Sequence, residues 1–286
     1  MKLQTIKIEN LFGYDKNNYS INLMDDDNIT FIYAYNGEGK STVLKIIDAA
    51  INNTSFSIPF GKISLKFDTG EETTIQSVQN NKLPVEGLPK NLKCDYIPNI
   101  YANPWSFCQD GSLFFDIQFV LKSKLNAYLS KAESDIKIVE EKIDFYLSLI
   151  NSEYGLTDKV LNIKVSEDQK KVECIGIESA FEKGKLHQLN FLSAGEKNFL
   201  YLYFNLVFTE LNYIKEKDSN LLMLLDEPDS SMHPVWLVNF IDQLEEIKKH
   251  AIHKNVQYII TTHSPSITFN HSFLMTEMKR ISGTNE

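Results

Sequence analysis

The stretch Ala34-Tyr35-Asn36-Gly37-Glu38-Gly39-Lys40-Ser41-Thr42 decides how the rest of the chain is read. It follows an apolar run of strand length, Asn28 to Tyr33. It precedes a segment, Ser41 to Ile51, with Val43, Ile46, Ile47 and Ala50 at helical spacing. Strand, glycine-rich turn and helix in that order make a Walker A phosphate-binding loop, with Ala34 where a first glycine is usual. The amides of such a loop and the positive end of the helix form an anion cradle. Asn36, Gly37, Glu38, Gly39, Lys40, Ser41 and Thr42 are therefore the expected phosphate-binding residues. Lys40 would reach the β- and γ-phosphates and Ser41 would hold a magnesium ion. Alanine at position 34 is a mild departure, because the closest approach to phosphate comes later, at Gly37 and Gly39.

Outward from this loop, three further segments complete a pattern. Leu221-Leu222-Met223-Leu224-Leu225-Asp226-Glu227 is an apolar strand ending in two carboxylates, a Walker B arrangement. Asp226 would coordinate Mg2+ through water, and Glu227 would orient and polarise the attacking water. Leu192-Ser193-Ala194-Gly195-Glu196 opens a helical segment. It reads as an anion-binding helix start, with Ser193 and the Gly195 amide as donors. It reads equally as a capping box, Ser193 with Glu196 three residues on, and both readings can hold at once. His263 leaves the buried run Tyr258 to Thr262 and is placed to contact a γ-phosphate and position water. The catalytic set is thus Lys40, Glu227 and His263.

The flanking segments supply an α/β frame. Leu3 to Ile8 alternates like an edge strand, with Tyr19 to Leu23 as its partner; further strands are expected at 62–67, 73–78 and 95–101. The fully apolar runs 221–225 and 256–260 suit parallel strands buried on both faces. Between Phe115 and Ile150 apolar residues recur at steps of three and four with no Gly or Pro, which predicts one amphipathic helix of roughly 50 Å. A hairpin of 161–165 with 172–177 follows. Three parts result: a nucleotide-binding part at 1–111 with Walker A, a helical insertion lobe at 112–187, and a signature-helix, Walker B and histidine part at 188–286.

Composition narrows the function. The 286 residues carry a net charge of −9, which argues against a surface coated for nucleic acid but leaves room for a local basic groove. No run approaches the length needed to span a bilayer, and Met1 to Glu9 lacks the apolar core of a signal peptide, so a cytoplasmic protein without membrane partners is expected. Cys94, Cys108 and Cys174 are scattered, without metal-ligand spacing, and read as reduced and structural. The only arginine, Arg280, lies almost at the end of the sequence, so an arginine finger is nearly ruled out. Trp105, Phe107, Phe114 and Phe115 are read as packing residues, and the lysines at 122, 124, 131, 137 and 142 as a solvated helix face.

Taken together, 36–42, 192–196, Asp226-Glu227-Pro228 and Thr262-His263-Ser264-Pro265 resemble the ABC-class ATPases. The wording of 226–234 and 261–265 is similar to the RecF and OLD-type branch, and Ile6 to Phe12 resembles the SMC and RecF start. The resemblance covers about 1–60 and 188–270. It implies an α/β, ABC-type P-loop domain with a short helical or coiled insertion, ATP and Mg2+ as cofactors, and ATP hydrolysis. It also implies a homodimer or higher homo-oligomer, in which Ser193, Ala194 and Gly195 of one copy cap the γ-phosphate held by Lys40 of the other. Ser230 and Ser231 would cross that interface. A glutamine loop is expected, with Gln109 and Gln118 as candidates, and Tyr14 and Lys16 would lie near adenine and ribose. The sequence runs 23 residues past His263, too few for the nuclease domain of OLD proteins. The expectation is therefore a separate effector, a nuclease or toxin, in bacterial anti-phage defence. The alternatives are a RecF-like repair ATPase clamping nucleic acid, a scaffold locked by ATP, and, less favoured, a transporter subunit.

Overall fold

The apolar runs become neighbouring parallel strands. In the computed structural model, β3 (Ile29–Tyr33), β6 (Leu92–Ile97), β10 (Asn220–Asp226), β11 (Asn255–Thr262) and β12 (Met275–Glu277) form one parallel sheet in the order β12-β3-β11-β10-β6. Both faces of β10 and β11 are covered: Leu221 to Asp226 and Val256 to Thr262 are all buried. That coverage explains their unbroken apolar character. β6 starts three residues before the expected strand and stops at Ile97, because Pro98 has no amide to extend the ladder. The structure describes residues 1–15, 17–24, 28–54, 56–76, 88–99, 117–131, 135–154, 158–166, 171–189, 192–230, 232–264, 267 and 274–281.

A second sheet is antiparallel, in the order β13-β2-β1-β4-β5, from β1 (Leu3–Glu9), β2 (Tyr19–Asn22), β4 (Lys62–Phe67), β5 (Glu72–Gln76) and β13 (Lys279–Arg280). Its register aligns Ile6 with Ile21 and Leu65 on one face, and Lys7 with Ser20 and Ser64 on the other. β1 is internal, not the edge strand expected. Alternation reports one wet face and one dry face; it does not report how many neighbours a strand has. Helix α1 (Lys40–Ile51) buries Val43, Leu44, Ile46, Ile47 and Ala50 in the same core as Ile6, Ile63 and Leu65 of this sheet and Leu222, Leu224 and Ile259 of the parallel one.

These elements belong to one compact unit, residues 1–99, 213–230 and 240–286; residues 100–212 and 231–239 form another. The second unit contains α2 (Ile117–Lys131), α3 (Ile136–Tyr154), the sheet β7 (Lys159–Val165), β8 (Val172–Ser179) and β9 (Leu186–His187), and α4 (Ala194–Asn212). It also takes the first turns of α5 (Pro234–Lys249), where the Trp236 ring lies 4.8 Å from that of Phe199. The helix expected over 115–150 is two helices. The carbonyl of Asp135 accepts from the amide of Val139, so Asp135 caps the start of α3. The expected hairpin is present as β7 and β8, while its turn, Trp105 to Gln109, Phe114, Phe115 and Lys16 fall outside the described residues. β9 is too short to show a period. It is nonetheless pressed onto Gly176, where a Cβ would come within 2.5 Å of the Leu186 side chain. Lys142 is no part of a solvated face: it is 7% exposed and pairs with Glu210 at 2.9 Å. Among the described residues no helix is long and apolar enough to cross a membrane.

Candidate functional site

The turn that leaves β3 is held by its own groups. Glu38 Oε2 accepts from the Tyr35 amide at 2.8 Å, and the Glu38 amide donates back to the Tyr35 carbonyl at 3.3 Å. Lys40, 5% exposed, donates from Nζ to the carbonyls of Ala34 (2.8 Å) and Tyr35 (3.3 Å), so its ammonium lies inside the loop's curve. Gly39 sits at φ 96° immediately before α1, and a Cβ there would meet Leu11 Cδ2 at 2.9 Å. Both the left-handed backbone and the crowding require glycine. Asn36, Gly37, Gly39, Lys40, Ser41 and Thr42 line an open cleft of about 220 Å3 together with Phe12 and Glu227. The side chain of Glu38 is spent on the loop itself.

The Walker B end of β10 arrives at the same place. Asp226 is 2% exposed, and three hydroxyls donate to it: Ser41 Oγ and Thr261 Oγ1 to Oδ1, and Tyr96 OH to Oδ2, each at 2.8 Å. Ser41 and Asp226, 185 positions apart, are thus joined directly. Glu227 follows at φ 46°, a conformation that costs a non-glycine residue roughly 1–2 kcal/mol. Its amide donates to both the carbonyl (3.1 Å) and Oγ1 (3.0 Å) of Thr261, and its carbonyl accepts from Ser230 at 3.1 Å. Those bonds hold the strained turn and place Glu227 on the cleft. His263 Nδ1 lies 3.1 Å from Glu227 Oε1. Behind them Thr262 Oγ1 donates to Asp229 Oδ2 at 2.8 Å, tying the loop after Walker B to the end of β11. Burial pushes the Asp229 carboxyl up; the Thr262 hydroxyl, its own backbone and the nearby His263 oppose that, and the Glu227 charge adds to it.

The arrangement fits a small divalent cation by its donor set. One buried carboxylate held only by neutral hydroxyls, beside one serine hydroxyl, suits Mg2+, which keeps several waters and takes few protein ligands. No cluster of three or more His, Cys, Asp or Glu side chains is found among the described residues.

Ser193, Ala194 and Gly195 belong to the second unit. Ser193 Oγ accepts from the Glu196 amide at 3.3 Å, and Glu196 Oε2 accepts from the Ser193 amide at 2.8 Å, a reciprocal capping box. Ser193 and Ala194 are exposed. Burial alone would raise the Glu196 carboxyl, but the Lys159 ammonium and the Ser193 donors together lower it. Ser231 and Gln109 fall outside the described residues, as does the side chain of Gln118. Four residues at this site carried no role in the sequence: Phe12, Tyr96, Thr261 and Asp229. Phe12 sits at φ 64° in a 3-10 turn, and only folding brings its ring to Gly39. Tyr96 looks like any strand aromatic until the register sets it opposite Leu224, two residues before Asp226.

The family model for the AAA ATPase domain matches residues 109–268, more than half of the chain. A retron Ec83 probable ATPase from Escherichia coli is 28% identical over 146 residues, 49% of this chain and 26% of that protein. The Septu protein PtuA from Bacillus thuringiensis is 24% identical over 301 residues, 92% of this chain and 72% of that one. The chain therefore spans about a quarter of the retron protein's length. Among solved structures, the Smc head bound to the C-winged helix domain of ScpA superposes with a TM-score of 0.59 at 14% identity, covering 99% of this chain and 98% of that one. That likeness shows a shared α/β head fold.

Proposed function

The chain belongs to the AAA ATPase domain family and carries an ATPase domain, and we propose that two copies close head-to-tail around two ATP molecules to govern a separate effector. The observation that carries this reading is the Ser41–Asp226 bond at the edge of a cleft that also holds Lys40 and Glu227. The triphosphate would lie along the amides of residues 36–42, with Lys40 Nζ turning from the loop carbonyls to the β- and γ-phosphate oxygens. Ser41 and Asp226 would hold Mg2+, which when bound neutralises charge on those oxygens. Glu227 would accept a hydrogen bond from the attacking water, and His263, 3.1 Å from it, would hold that carboxylate in place beside the γ-phosphate.

Charge on the transferring phosphoryl group would be met by Lys40, the loop amides and a second copy. The exposed Ser193 and Ala194 at the start of α4 supply such a contact in trans, since a helix N-terminus presents both amides and a positive dipole. Similarity to a retron ATPase and to a Septu protein supports a bacterial anti-phage setting with a nuclease or toxin as the separate effector, in the cytoplasm. Residues 112–187 would act as an insertion lobe of this machine.

The test is the solution mass of Glu227→Gln with and without ATP and Mg2+. Removing the carboxylate should stop turnover and trap the closed pair, so the mass should double only when both are present. A protein that stays monomeric while binding ATP would sink the head-to-tail mechanism.

A further inference from the structure

Asp226 is nearly sealed from solvent, yet its partners are all neutral hydroxyls. Among the described residues no ammonium or guanidinium pairs with it, and the nearby Lys40 ammonium is engaged by two carbonyls instead. Hydroxyl donors satisfy a buried carboxylate without cancelling its charge, which keeps that charge for a cation. The three donors are not equivalent. Ser41 and Thr261 share Oδ1, whereas Tyr96 alone occupies Oδ2. Turning about the Cβ–Cγ bond moves both oxygens together, so the Tyr96 hydroxyl at Oδ2 adds a hold against that rotation on the side opposite the two donors at Oδ1.

Tyr96 is well placed for this task. It stands on β6, whose parallel register with β10 fixes its height against Leu224 and hence its reach to Asp226. Its ring lies 5.8 Å beneath the Lys45 ammonium of α1. The phenol is therefore set by a strand and by the helix that follows the phosphate loop, and it is not free to follow the carboxylate.

We propose that Tyr96 is a positioning residue for the metal site: by fixing Oδ2 of Asp226 it sets the carboxylate in the orientation that receives hydrated Mg2+ with the nucleotide. The inference rests on the assignment of Mg2+ to Ser41 and Asp226. The Ser41 hydroxyl can keep donating to Asp226 while a lone pair is offered to a cation; Tyr96 and Thr261 donate to the carboxylate and hold it.

The experiment measures equilibrium binding of a fluorescent, non-hydrolysable ATP analogue as Mg2+ is titrated, for Tyr96→Phe, Asp226→Asn and the parent protein. The phenylalanine keeps the ring and its packing. Tyr96→Phe should raise the Mg2+ concentration for half-maximal binding about tenfold, with affinity in EDTA and the melting temperature without nucleotide little changed. An unshifted Mg2+ requirement in Tyr96→Phe, with a large shift in Asp226→Asn, overturns the role of Tyr96 and leaves the metal assignment standing. Equal loss of binding in EDTA and in Mg2+ means a packing role and also overturns it. An unshifted requirement in Asp226→Asn removes the metal assignment, and the Tyr96 role with it.

Discussion

The two most deeply buried carboxylates among the described residues, one in each unit, are held by opposite means. Glu210 of α4 is 0% exposed and is met by the Lys142 ammonium at 2.9 Å and the Tyr146 hydroxyl at 2.8 Å, both from α3. Asp226 of β10 is 2% exposed and is met by three hydroxyls from α1, β6 and β11. The first is neutralised within the protein and fixes how two helices pack. The second meets no cationic partner among the described residues and is bonded to Ser41, which lines the cleft. Burial of an acid therefore does not by itself mark a functional site; the charge of its partners separates a clamp from a ligand.

The largest effect is expected at Lys142. Lys142→Met strands Glu210 as a lone buried charge, so denaturant melts should show a loss of about 3–5 kcal/mol. Adding Glu210→Leu should restore most of it, because the pair is costly to halve and cheap to replace. A loss under 1 kcal/mol in the single variant would mean that the pair is not the clamp described.

Glu196 is intermediate, since the Lys159 ammonium and the Ser193 donors both hold it. Glu196→Ala should cost about 1–2 kcal/mol, measured the same way. The Glu196 carboxyl is lowered in the folded chain, so its contribution is complete above the unfolded value of 4.5 and is lost as pH falls below it. A parent-minus-variant difference that did not shrink in acid would contradict that account.

Asp48 sharpens the contrast from the other side and has the smallest effect. It is half-buried on α1, and burial, reinforced by the Asp95 charge and only partly offset by Asn52, pushes its carboxyl up from 3.8 to about 6. The folded chain then binds more protons than the unfolded one between those values, so stability falls as pH rises through that window. The shift corresponds to roughly 3 kcal/mol before solvent screening and about 1 kcal/mol after it. Asp48→Asn should therefore be about 1 kcal/mol more stable than the parent at pH 8 and indistinguishable at pH 4. Parallel stability curves would refute the burial account.

The features legible in the sequence are those whose physics is local. The phosphate loop needs consecutive small residues and a helix start, and both are adjacent in the chain. The capping box joins residues three apart, and Ser193 and Glu196 made it as spaced. Strands buried on both faces announce themselves as apolar runs, so β3, β10 and β11 were visible. Features whose deciding partner is remote are not written in any local pattern. Lys142 has the spacing of a solvated lysine, and only the packing of α3 on α4 gives it Glu210. The break at Asp135 was hidden because apolar periodicity continues across it.

The α/β class and the order of the phosphate loop, the Ser193–Glu196 helix start, the carboxylate pair and the histidine can be read from the residues alone, because each is written within a few consecutive positions. The tertiary structure alone decided that Ser41, Tyr96, Thr261 and Asp226 form one hydroxyl-held carboxylate, and that Glu227 turns through a left-handed backbone to meet His263. Those contacts join residues tens to nearly two hundred positions apart, and no spacing encodes them. Parallel-strand register sets their heights, and the packing of α1 on the sheet sets their distance.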